Sequence, residues 1–560
     1  MRVTESRAKA KLTGLVNSWQ ISHRLFIVLL IVIALASLVP RYIIGHTEPL
    51  SYNGYWDSFT SLQNRSTQWW LDVRDSGHPP LFFLLQHFAM KIGTSWLAMR
   101  SLVIVCGAAT TFVMGLIADK LFQSKIFALL CATSLGFAMS LVELDTDVRP
   151  YPLALLLVTI AFLPFIDFIR DPQAPSAGKT LLSFTGLTLL AQLSEHFSLF
   201  FYCACIGSAA VYAAVYPEFR KSIWTFIKRK PVIVLIALIL PPALFWTLSS
   251  IQLQYVTAVQ PQVSDYYLAT SGLAPWQYIR LNFSRELNYF LPIKINTVTQ
   301  VTWIFAITPF LIYLLLAKGR RKSKLLSNLP IVVFVLLLLG LMAGGLASRY
   351  PLGGELRQQA IIAPFLTLSG FALLDRFSIG WFKIPVAVLV ALWIAADFRT
   401  GWAHHSGPAE MFQTEYNTFQ KEFPSSPVVF AGYFSCFGLY AATHTWNWRV
   451  DSSVIAAGSR IWVYKTVSPQ GQHRLVLRDK DSWNLDFTQP GPYSVIANAL
   501  RQTKLPSLDL FWAKQGGQVV SSAAAQKQTA QFAELANSAG LVIEAGHFDG
   551  RLGFFEFHLK

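Results

Sequence analysis

The chain has 560 residues, of which 53% are hydrophobic and only 14% are charged, and its mean hydropathy is +0.43. These values exclude an ordinary soluble protein and indicate a protein that crosses a membrane several times. The formal net charge of +16 falls mainly between apolar runs, so it indicates membrane topology rather than a nucleic-acid partner. Five cysteines show no metal-ligand spacing, so we expect neither disulfide nor zinc-thiolate chemistry.

The N-terminus, residues 1–24, is basic, and we predict that it lies in the cytoplasm ahead of a first apolar run. Within that run, Ala34-Leu35-Ala36 resembles the cleavage site of a signal peptide. The basic region is long for a signal peptide, however, and the apolar run continues past the site. We therefore predict a retained membrane anchor.

Residues 25–398 are predicted to form an all-α polytopic membrane bundle, because their apolar runs have the length that a spanning helix needs. We count eleven spans, at about 25–44, 97–118, 126–143, 151–169, 180–194, 197–215, 231–249, 297–317, 326–347, 358–375 and 384–398.

With the N-terminus in the cytoplasm, five basic connections between these spans fall on the cytoplasmic side, as the positive-inside rule requires. The acidic connections then lie outside, and they are 45–96, 144–150, the turn at Glu195 and His196, 250–296, 348–357 and everything after 399. This topology predicts a multi-pass membrane protein whose N-terminus lies in the cytoplasm.

The stretch "HPPLFFLLQHFAMKIG" is apolar, yet counting it as a span would invert every later connection. We predict an interfacial helix in the first outer loop, with Pro79 or Pro80 at its start, where a missing N–H costs little.

Residues 399–560 are predicted to form a soluble, extracytoplasmic α/β domain. "PVVFAGYF", "SRIWVYKTV", "HRLVLRD" and "YSVIANAL" have the pattern of strands, whereas "AAAQKQTAQFAELANSAG" has that of a helix. "LVIEAGHFDGRLGFFEFHL" is typical of a hairpin that turns at Asp549-Gly550.

Ionisable groups on the predicted outer face are candidates for function, because such groups are costly beside a membrane core. One is Asp57 in the first outer loop, and a second set lies in the tight turn "VELDTDVRPY". A third is "SRYPLGGELRQQAIIAP", whose arginines suit a phosphate because a guanidinium stays charged and donates two parallel hydrogen bonds. The alternative for each is a solvated loop.

Carboxylates and arginines at one face of a bundle fit a group transfer, in which an acid oxygen activates a nucleophile and cations stabilise a departing phosphate. They also fit a proton-coupled transporter. A transporter more often carries charges at the bilayer midplane and internal repeats, and this sequence shows neither feature clearly.

Five motifs occur in order, namely "YWDSFTSL", "GHPPLFFLLQH", "DVRPYPLALLL", "SEHFSLFF" and "YPLGGELRQQAIIAPFLTLSG". Over about residues 20–400 this series resembles the bacterial protein-O-mannosyltransferase-like branch of the GT-C glycosyltransferases, which is similar to the lipid A aminoarabinose transferases. The resemblance implies that a sugar is taken from a polyprenyl-phosphate carrier on the outer face by a single displacement.

The resemblance also implies catalytic residues. Asp57 matches an aspartate near the reacting groups and would be a base or orient the acceptor, although Ser58 replaces the glutamate that commonly follows. Asp147, Arg149 and Tyr151 match a short acidic, arginine and tyrosine motif. Asp147 would orient the acceptor or bind a cation, and Arg149 would bind phosphate or form a salt bridge with Asp147.

The remaining matches imply supporting and phosphate-binding roles. His78 begins the interfacial-helix motif, and His196 is expected to be a packing or hydrogen-bonding residue rather than a catalyst. Arg357 is assigned to the lipid phosphate, although Leu352 and Gln358 replace the family's aromatic residue and histidine, and Arg349 is a weaker candidate.

These observations predict a membrane glycosyltransferase that moves a monosaccharide, hexosyl or pentosyl, from a polyprenyl-phosphate carrier to a lipid, glycan or protein acceptor. A divalent cation is compatible with this prediction, but no ligand cluster in the sequence decides it. The alternative is a transporter or flippase of a lipid-linked sugar without transferase activity.

Overall fold

The structure, a computed structural model, describes most of the apolar bundle and separate parts of the rest of the chain. The described residues are 21–48, 50, 54, 57, 58, 60, 61, 69, 70, 73, 74, 76–92, 96–259, 267–290, 322–353, 356–377, 382–403, 428–432, 450–455, 461–467, 473–479, 487–503, 507–513, 521–548 and 552–560.

Helices dominate the part of the chain before residue 404. They are α1 His23–Ala36, α2 Leu38–Thr47, α3 Pro80–Ala89, α4 Trp96–Leu121, α5 Lys125–Phe137, α6 Met139–Leu144, α7 Tyr151–Arg170, α8 Ala177–Gln192, α9 Ser198–Val215, α10 Pro217–Arg229, α11 Pro231–Val259, α12 Leu268–Ser271, α13 Pro275–Phe290, α14 Lys322–Leu346, α15 Leu356–Gln359, α16 Ile362–Phe377 and α17 Lys383–Ala403.

Seven described helical segments are long and apolar enough to cross a membrane. They are His23–Thr47, Leu97–Leu121, Tyr151–Arg170, Ser198–Val215, Pro231–Gln252, Asn328–Leu346 and Lys383–Ala403. Each coincides with one of the eleven predicted spans.

The other four predicted spans are not confirmed as spans. At 126–143 the chain forms α5, of 13 residues, which ends at Phe137 before the short α6 begins at Met139. At 180–194 and 358–375 lie α8 and α16, each of 16 residues, which is short for a full crossing. The predicted span at 297–317 lies outside the described residues.

The predicted interfacial segment is a helix, α3, and it begins at Pro80, where the prediction placed its first turn. The structure contains no membrane, so the position of α3 at an interface stays a prediction.

Contacts divide the chain into two compact units, of which the first comprises Met1–Ile44, Ser76–Phe82 and Ser101–His405. Its core is rich in aromatic rings from four helices: Phe165 of α7 lies 4.9 Å from Phe184 of α8, and Phe201 of α9 lies 5.3 Å from Phe365 of α16. These contacts hold α7, α8, α9 and α16 together.

The second unit comprises Gly45–Asp75, Phe83–Arg100 and Ser406–Lys560. Its C-terminal part contains β1 Val428–Gly432, β2 Val450–Ile455, β3 Ile461–Val467, β4 His473–Asp479, α18 Gly491–Thr503, β5 Ser507–Ala513, α19 Ser522–Ser538, β6 Leu541–Phe548 and β7 Leu552–Leu559. One sheet has the order β1-β5-β7-β6, with β1 parallel to β5, and the other has the order β2-β3-β4.

The predicted strands "PVVFAGYF", "SRIWVYKTV" and "HRLVLRD" and the predicted helix after Ser521 are confirmed. The antiparallel pairing of β6 with β7 confirms the hairpin, while its turn at Asp549-Gly550 lies outside the described residues. That this part is a soluble domain bounded at residue 399 stays a prediction.

The predicted strand "YSVIANAL" is wrong, because these residues lie in α18. Tyr493, Ile496, Ala497 and Leu500 are all buried, and their spacing of three, four and seven residues places them on one face of a helix. Gly491-Pro492 before them supplies a helix start rather than a strand start.

Candidate functional site

The turn between α6 and α7 carries most of the predicted site residues. Its chain folds back tightly, since the Arg149 amide donates to the Asp147 carbonyl at 2.8 Å. Pro150 and Pro152 flank Tyr151, the first residue of α7, and a proline at this point of a helix loses no intrahelical hydrogen bond. Arg149 is thereby buried at 7% exposure while Asp147 is half-buried.

His78 links Arg149 to a buried carboxylate. Its Nε2 lies 2.8 Å from Nη2 of Arg149, and its Nδ1 lies 2.7 Å from Oε2 of Glu195. A guanidinium can only donate, so His78 Nε2 accepts, and the ring proton on Nδ1 is donated to Glu195. The geometry therefore fixes a neutral His78 in one tautomer, with Arg149 oriented by a carboxylate two hydrogen bonds away.

Glu195 lies in the turn between α8 and α9, where its amide donates to the Ala191 carbonyl at 2.8 Å. Its second oxygen, Oε1, accepts from the His196 amide at 3.1 Å. Burial raises the pKa of Glu195, but the interactions with His78, His196 and Arg149 outweigh burial and hold that pKa below its usual value. Glu195 is therefore a carboxylate at neutral pH.

A second chain of hydrogen bonds runs from His78 to His196 through Gln252 of α11. The Gln252 amide nitrogen donates to the His78 carbonyl at 2.8 Å, and its Oε1 accepts from His196 Nε2 at 2.5 Å. Burial lowers the pKa of His196, so this ring is neutral and Nε2 carries its proton. Among the described residues, His196 Nδ1 has no hydrogen-bond partner.

The charges of two arginines act on Tyr151. The Arg149 guanidinium lies 5.6 Å from the centre of its ring, and the charge of Arg357, on α15, acts on its hydroxyl. The ring packs edge-on against His78 at 5.6 Å and stacks on Phe197 at 6.1 Å, so it is rigidly placed. With His78 neutral, the two arginines and Glu195 leave one net positive charge around Tyr151, which favours an anion.

Of the eight predicted site residues, the structure brings together His78, Arg149, Tyr151 and His196 through direct contacts and a shared hydrogen-bond partner, and the charge of Arg357 acts on Tyr151. Asp147 lies in the same turn, two residues from Arg149. The Arg149 side chain contacts His78 and its amide donates to the Asp147 carbonyl, and a salt bridge with Asp147 stays one of the two roles predicted for Arg149.

Arg349 lies in the turn after α14, where it is exposed and its amide donates to the Gly344 carbonyl at 2.9 Å. Among the described residues it makes no hydrogen bond with this cluster. Arg349 and Arg357 are therefore close in sequence but do not share a contact among the described residues.

Asp57 belongs to the second unit. It is 3% exposed, and its carbonyl accepts from the Ser61 hydroxyl at 2.7 Å, as in a helical turn. Ser58 is fully buried, and its hydroxyl donates to the Gly54 carbonyl at 2.7 Å. A carboxylate buried to this extent is costly unless it has a role or a partner.

A buried ion pair anchors the turn that carries Arg149. Arg41 of α2 donates to Oδ2 of Asp145 from Nε at 2.9 Å and from Nη2 at 2.6 Å, and its Nη1 donates to the carbonyls of Ser37 and Gly136. Asp145 ends α6 and begins the turn. Only glycine fits at position 107, because a Cβ there would lie 2.2 Å from the Asp145 carboxylate.

Sequence reasoning did not assign Glu195, Gln252 or the Arg41–Asp145 pair. Each was visible as a polar residue at the edge of an apolar run, but their partners are 117, 174 and 104 residues away in the chain. Only the folded structure shows these pairings.

The cluster around Arg149 does not form a metal-ligand set, since Glu195 is already engaged by His78 and by the His196 amide. In the described parts of the chain, the one group of three close metal-ligand side chains is Glu544, Glu556 and His558, in β6 and β7 of the second unit.

No protein-family model matches this sequence, and no curated protein matches it. Among solved structures, the chain is similar to ArnT from Cupriavidus metallidurans bound to undecaprenyl phosphate, with 12% identity and a TM-score of 0.49 over 94% of this chain and 97% of ArnT. It is also similar to the archaeal oligosaccharyltransferase AglB from Archaeoglobus fulgidus in complex with an inhibitory peptide and a dolichol-phosphate, with 12% identity and a TM-score of 0.47 over 94% and 74% of the two chains. At 12% identity, no residue role carries over from them to this chain.

Proposed function

We propose that this chain is a membrane glycosyltransferase that moves a monosaccharide from a polyprenyl-phosphate carrier to a lipid, glycan or protein acceptor on the extracytoplasmic face. The observation that supports the proposal most is that the Arg149 guanidinium, oriented by His78, lies against the buried Tyr151, on whose hydroxyl the charge of Arg357 also acts. A guanidinium matches the geometry of a phosphate and is the side chain of choice for binding it.

The charge change of the reaction explains why two arginines are useful. A polyprenyl-phosphate sugar is a phosphodiester with one negative charge, whereas the departing polyprenyl phosphate is a monoester that carries close to two at neutral pH. Cations that are fixed before the reaction stabilise the phosphate more strongly as it departs than in the bound donor. Arg149 and Arg357 would therefore accelerate transfer as well as bind the carrier.

Glu195 and His78 have a positioning role in this proposal. Glu195 fixes the tautomer of His78, and His78 Nε2 occupies one donor of Arg149, so the guanidinium cannot rotate freely. A cation that is already oriented loses less conformational freedom when phosphate binds.

In the transfer itself, an acceptor oxygen would attack the anomeric carbon while the bond from that carbon to the phosphate oxygen breaks. The electron pair leaves with the phosphate, and the proton of the acceptor passes to a base. Asp57 is our candidate for the base, on the strength of the sequence motif and its burial at 3% exposure. Asp147 is proposed to orient the acceptor.

The proposed location is a bacterial inner membrane, with the N-terminus cytoplasmic and the C-terminal part extracytoplasmic. Single cysteines placed within 220–230 and at residue 410 test this topology. We expect an impermeant thiol reagent added outside to label the second position and not the first, and the reverse pattern would overturn the proposed side of the reaction.

The function is tested by reconstituting the purified protein in vesicles that contain a carrier lipid with a labelled sugar. A transferase converts the carrier to free polyprenyl phosphate and places the label on an acceptor, whereas a flippase only moves the intact carrier between leaflets. Mass spectrometry of surface lipids, glycans and glycoproteins from cells with and without the protein then identifies the acceptor. Movement of intact carrier without loss of sugar would support the transporter instead.

A further inference from the structure

The helix α10, Pro217–Arg229, joins two helices that are each long enough to cross a membrane. Tyr216 separates it from α9 with an extended backbone, and Lys230 separates it from α11. Because both neighbours span, α10 lies where they leave the bilayer, and its 13 residues cover about 20 Å of that surface.

One face of α10 packs on the bundle. Phe219 and Phe226, seven residues apart, are 6% and 5% exposed. The Phe226 ring lies edge-on to Phe168 of α7 at 5.2 Å, and Phe219 lies edge-on to Tyr212 of α9 at 6.1 Å. These contacts fix the rotation of α10 about its axis, and so they decide which residues face away from the protein.

The opposite face carries Arg220, Trp224 and Lys228, spaced four residues apart, with Lys221 beside them. All four are exposed, and Trp224 is 58% exposed, which is unusual for so large an apolar side chain. The Lys228 ammonium lies 5.6 Å above the Trp224 ring. An indole between cations is typical of the headgroup region of a bilayer, where one part of the side chain meets apolar atoms and the other meets water.

The positive charge of this face indicates which kind of molecule would bind to it. Residues 217–230 contain five basic side chains and one acidic side chain, Glu218. Among the residues that the structure describes, none of the basic side chains of α10 forms an ion pair. We propose that the exposed face of α10, formed by Arg220, Lys221, Trp224 and Lys228, is a docking surface for the headgroups of anionic phospholipids. This inference does not depend on the proposed transferase activity.

The test uses the full-length protein, stripped of lipid and then offered equal amounts of phosphatidylglycerol and phosphatidylcholine. Native mass spectrometry measures which lipid stays bound. The variant Arg220→Gln/Lys221→Gln/Lys228→Gln should lose the preference for phosphatidylglycerol by at least tenfold, since each basic residue near an anionic surface is worth about a fivefold gain in binding. Trp224→Ala should weaken retention of both lipids.

A matched control removes three exposed charges elsewhere, in Arg501→Gln/Lys527→Gln/Lys560→Gln, and so changes the net charge by the same amount. The docking surface predicts that this control keeps the preference of the parent. Equal losses in the two triple variants, or no loss in the α10 variant, would overturn the proposal. If the α10 triple variant does not fold, single Lys221→Gln and Lys228→Gln variants make the same comparison with smaller expected changes.

Discussion

Nη2 of Arg149 lies 2.8 Å from Nε2 of His78, and this contact fixes the protonation of the histidine. Because arginine cannot accept, the histidine must, and its remaining proton points to Glu195 at 2.7 Å. The candidate site is therefore a preoriented guanidinium, held through a neutral imidazole by a buried carboxylate. The proposed binding of a phosphate rests on that rigidity and on the charge of Arg357.

Replacing His78 with phenylalanine should impair transfer while leaving the packing largely intact. Phenylalanine keeps the edge-on contact with Tyr151 but removes both ring hydrogen bonds, so Arg149 loses its orientation and Glu195 loses a donor. We expect kcat/KM for the carrier lipid to fall about 100-fold. The control is His23→Phe, whose histidine is 69% exposed, and a loss of similar size in both variants would contradict the assigned role of His78.

The two arginines near the end of α14 should behave differently. Arg357→Gln removes a charge that acts on Tyr151, so we expect KM for the carrier lipid to rise about tenfold or more. Arg349→Gln removes an exposed charge without a hydrogen bond to the cluster and should change KM less than about twofold. Steady-state kinetics with the carrier lipid measure both values, and equal effects would contradict the proposed contact of Arg357 with the phosphate.

The protein should lose stability as the pH falls through the range in which an ordinary histidine titrates. Burial keeps the pKa of His196 below its usual value of 6.5, so on acidification the unfolded chain gains a proton that the folded chain does not. On acidification, the loss of stability begins near the pKa of His196 in the unfolded chain and ends near its lower pKa in the folded chain. Glu195, whose pKa is also lowered, adds a further loss below its usual value of 4.5.

His196→Gln isolates the histidine contribution, because Gln can still donate to Gln252. The melting temperature of the parent should fall more steeply between about pH 7.5 and 5.5 than that of His196→Gln. Burial raises the pKa of Asp145 to about 6, which acts in the opposite direction, but that residue is present in both proteins and cancels in the comparison. If the melting temperatures of the two proteins changed in parallel with pH, that result would contradict a buried, neutral His196.

Removing one partner of the Arg41–Asp145 pair should lower the free energy of unfolding more than removing both partners. Arg41→Met leaves the Asp145 carboxylate buried without its cation, and loss of one partner of a buried pair costs about 3–5 kcal/mol. The double variant Arg41→Met/Asp145→Leu removes both charges and should recover much of that loss. Thermal unfolding of the single and double variants measures the coupling, and additive losses would exclude an ion pair that anchors this turn.

Much of the helical architecture could be predicted from the sequence, because a helix that spans a membrane requires a long apolar run, which is visible in the sequence. The seven candidate spans coincide with predicted ones for this reason. Prediction was less reliable where the apolar run was short: the segment at 126–143 forms two helices that meet at Ala138, and "YSVIANAL" is a helix whose apolar spacing resembles a strand over a few residues.

The candidate site was only half predictable. His78, Arg149, Tyr151, His196 and Arg357 were identified by motif, and the structure brings them together. The groups that orient them were not identified. A carboxylate or an amide at the end of an apolar helix gives the same sequence pattern whether it faces water or contacts a histidine that is distant in the chain. Glu195 and Gln252 each form a hydrogen bond with His78, which lies more than 100 residues away in the chain.

The most direct measurement of the central claim is a single-turnover assay with purified protein, an envelope extract as acceptor and a carrier lipid labelled in both its sugar and its phosphate. We predict that free polyprenyl phosphate forms in step with labelled acceptor in the parent protein. Arg149→Gln and Asp57→Ala should slow both products about 100-fold or more, and Arg349→Gln should leave them near the parent rate. If no sugar leaves the carrier in the parent protein, or if Arg149→Gln transfers at the parent rate, the account is contradicted.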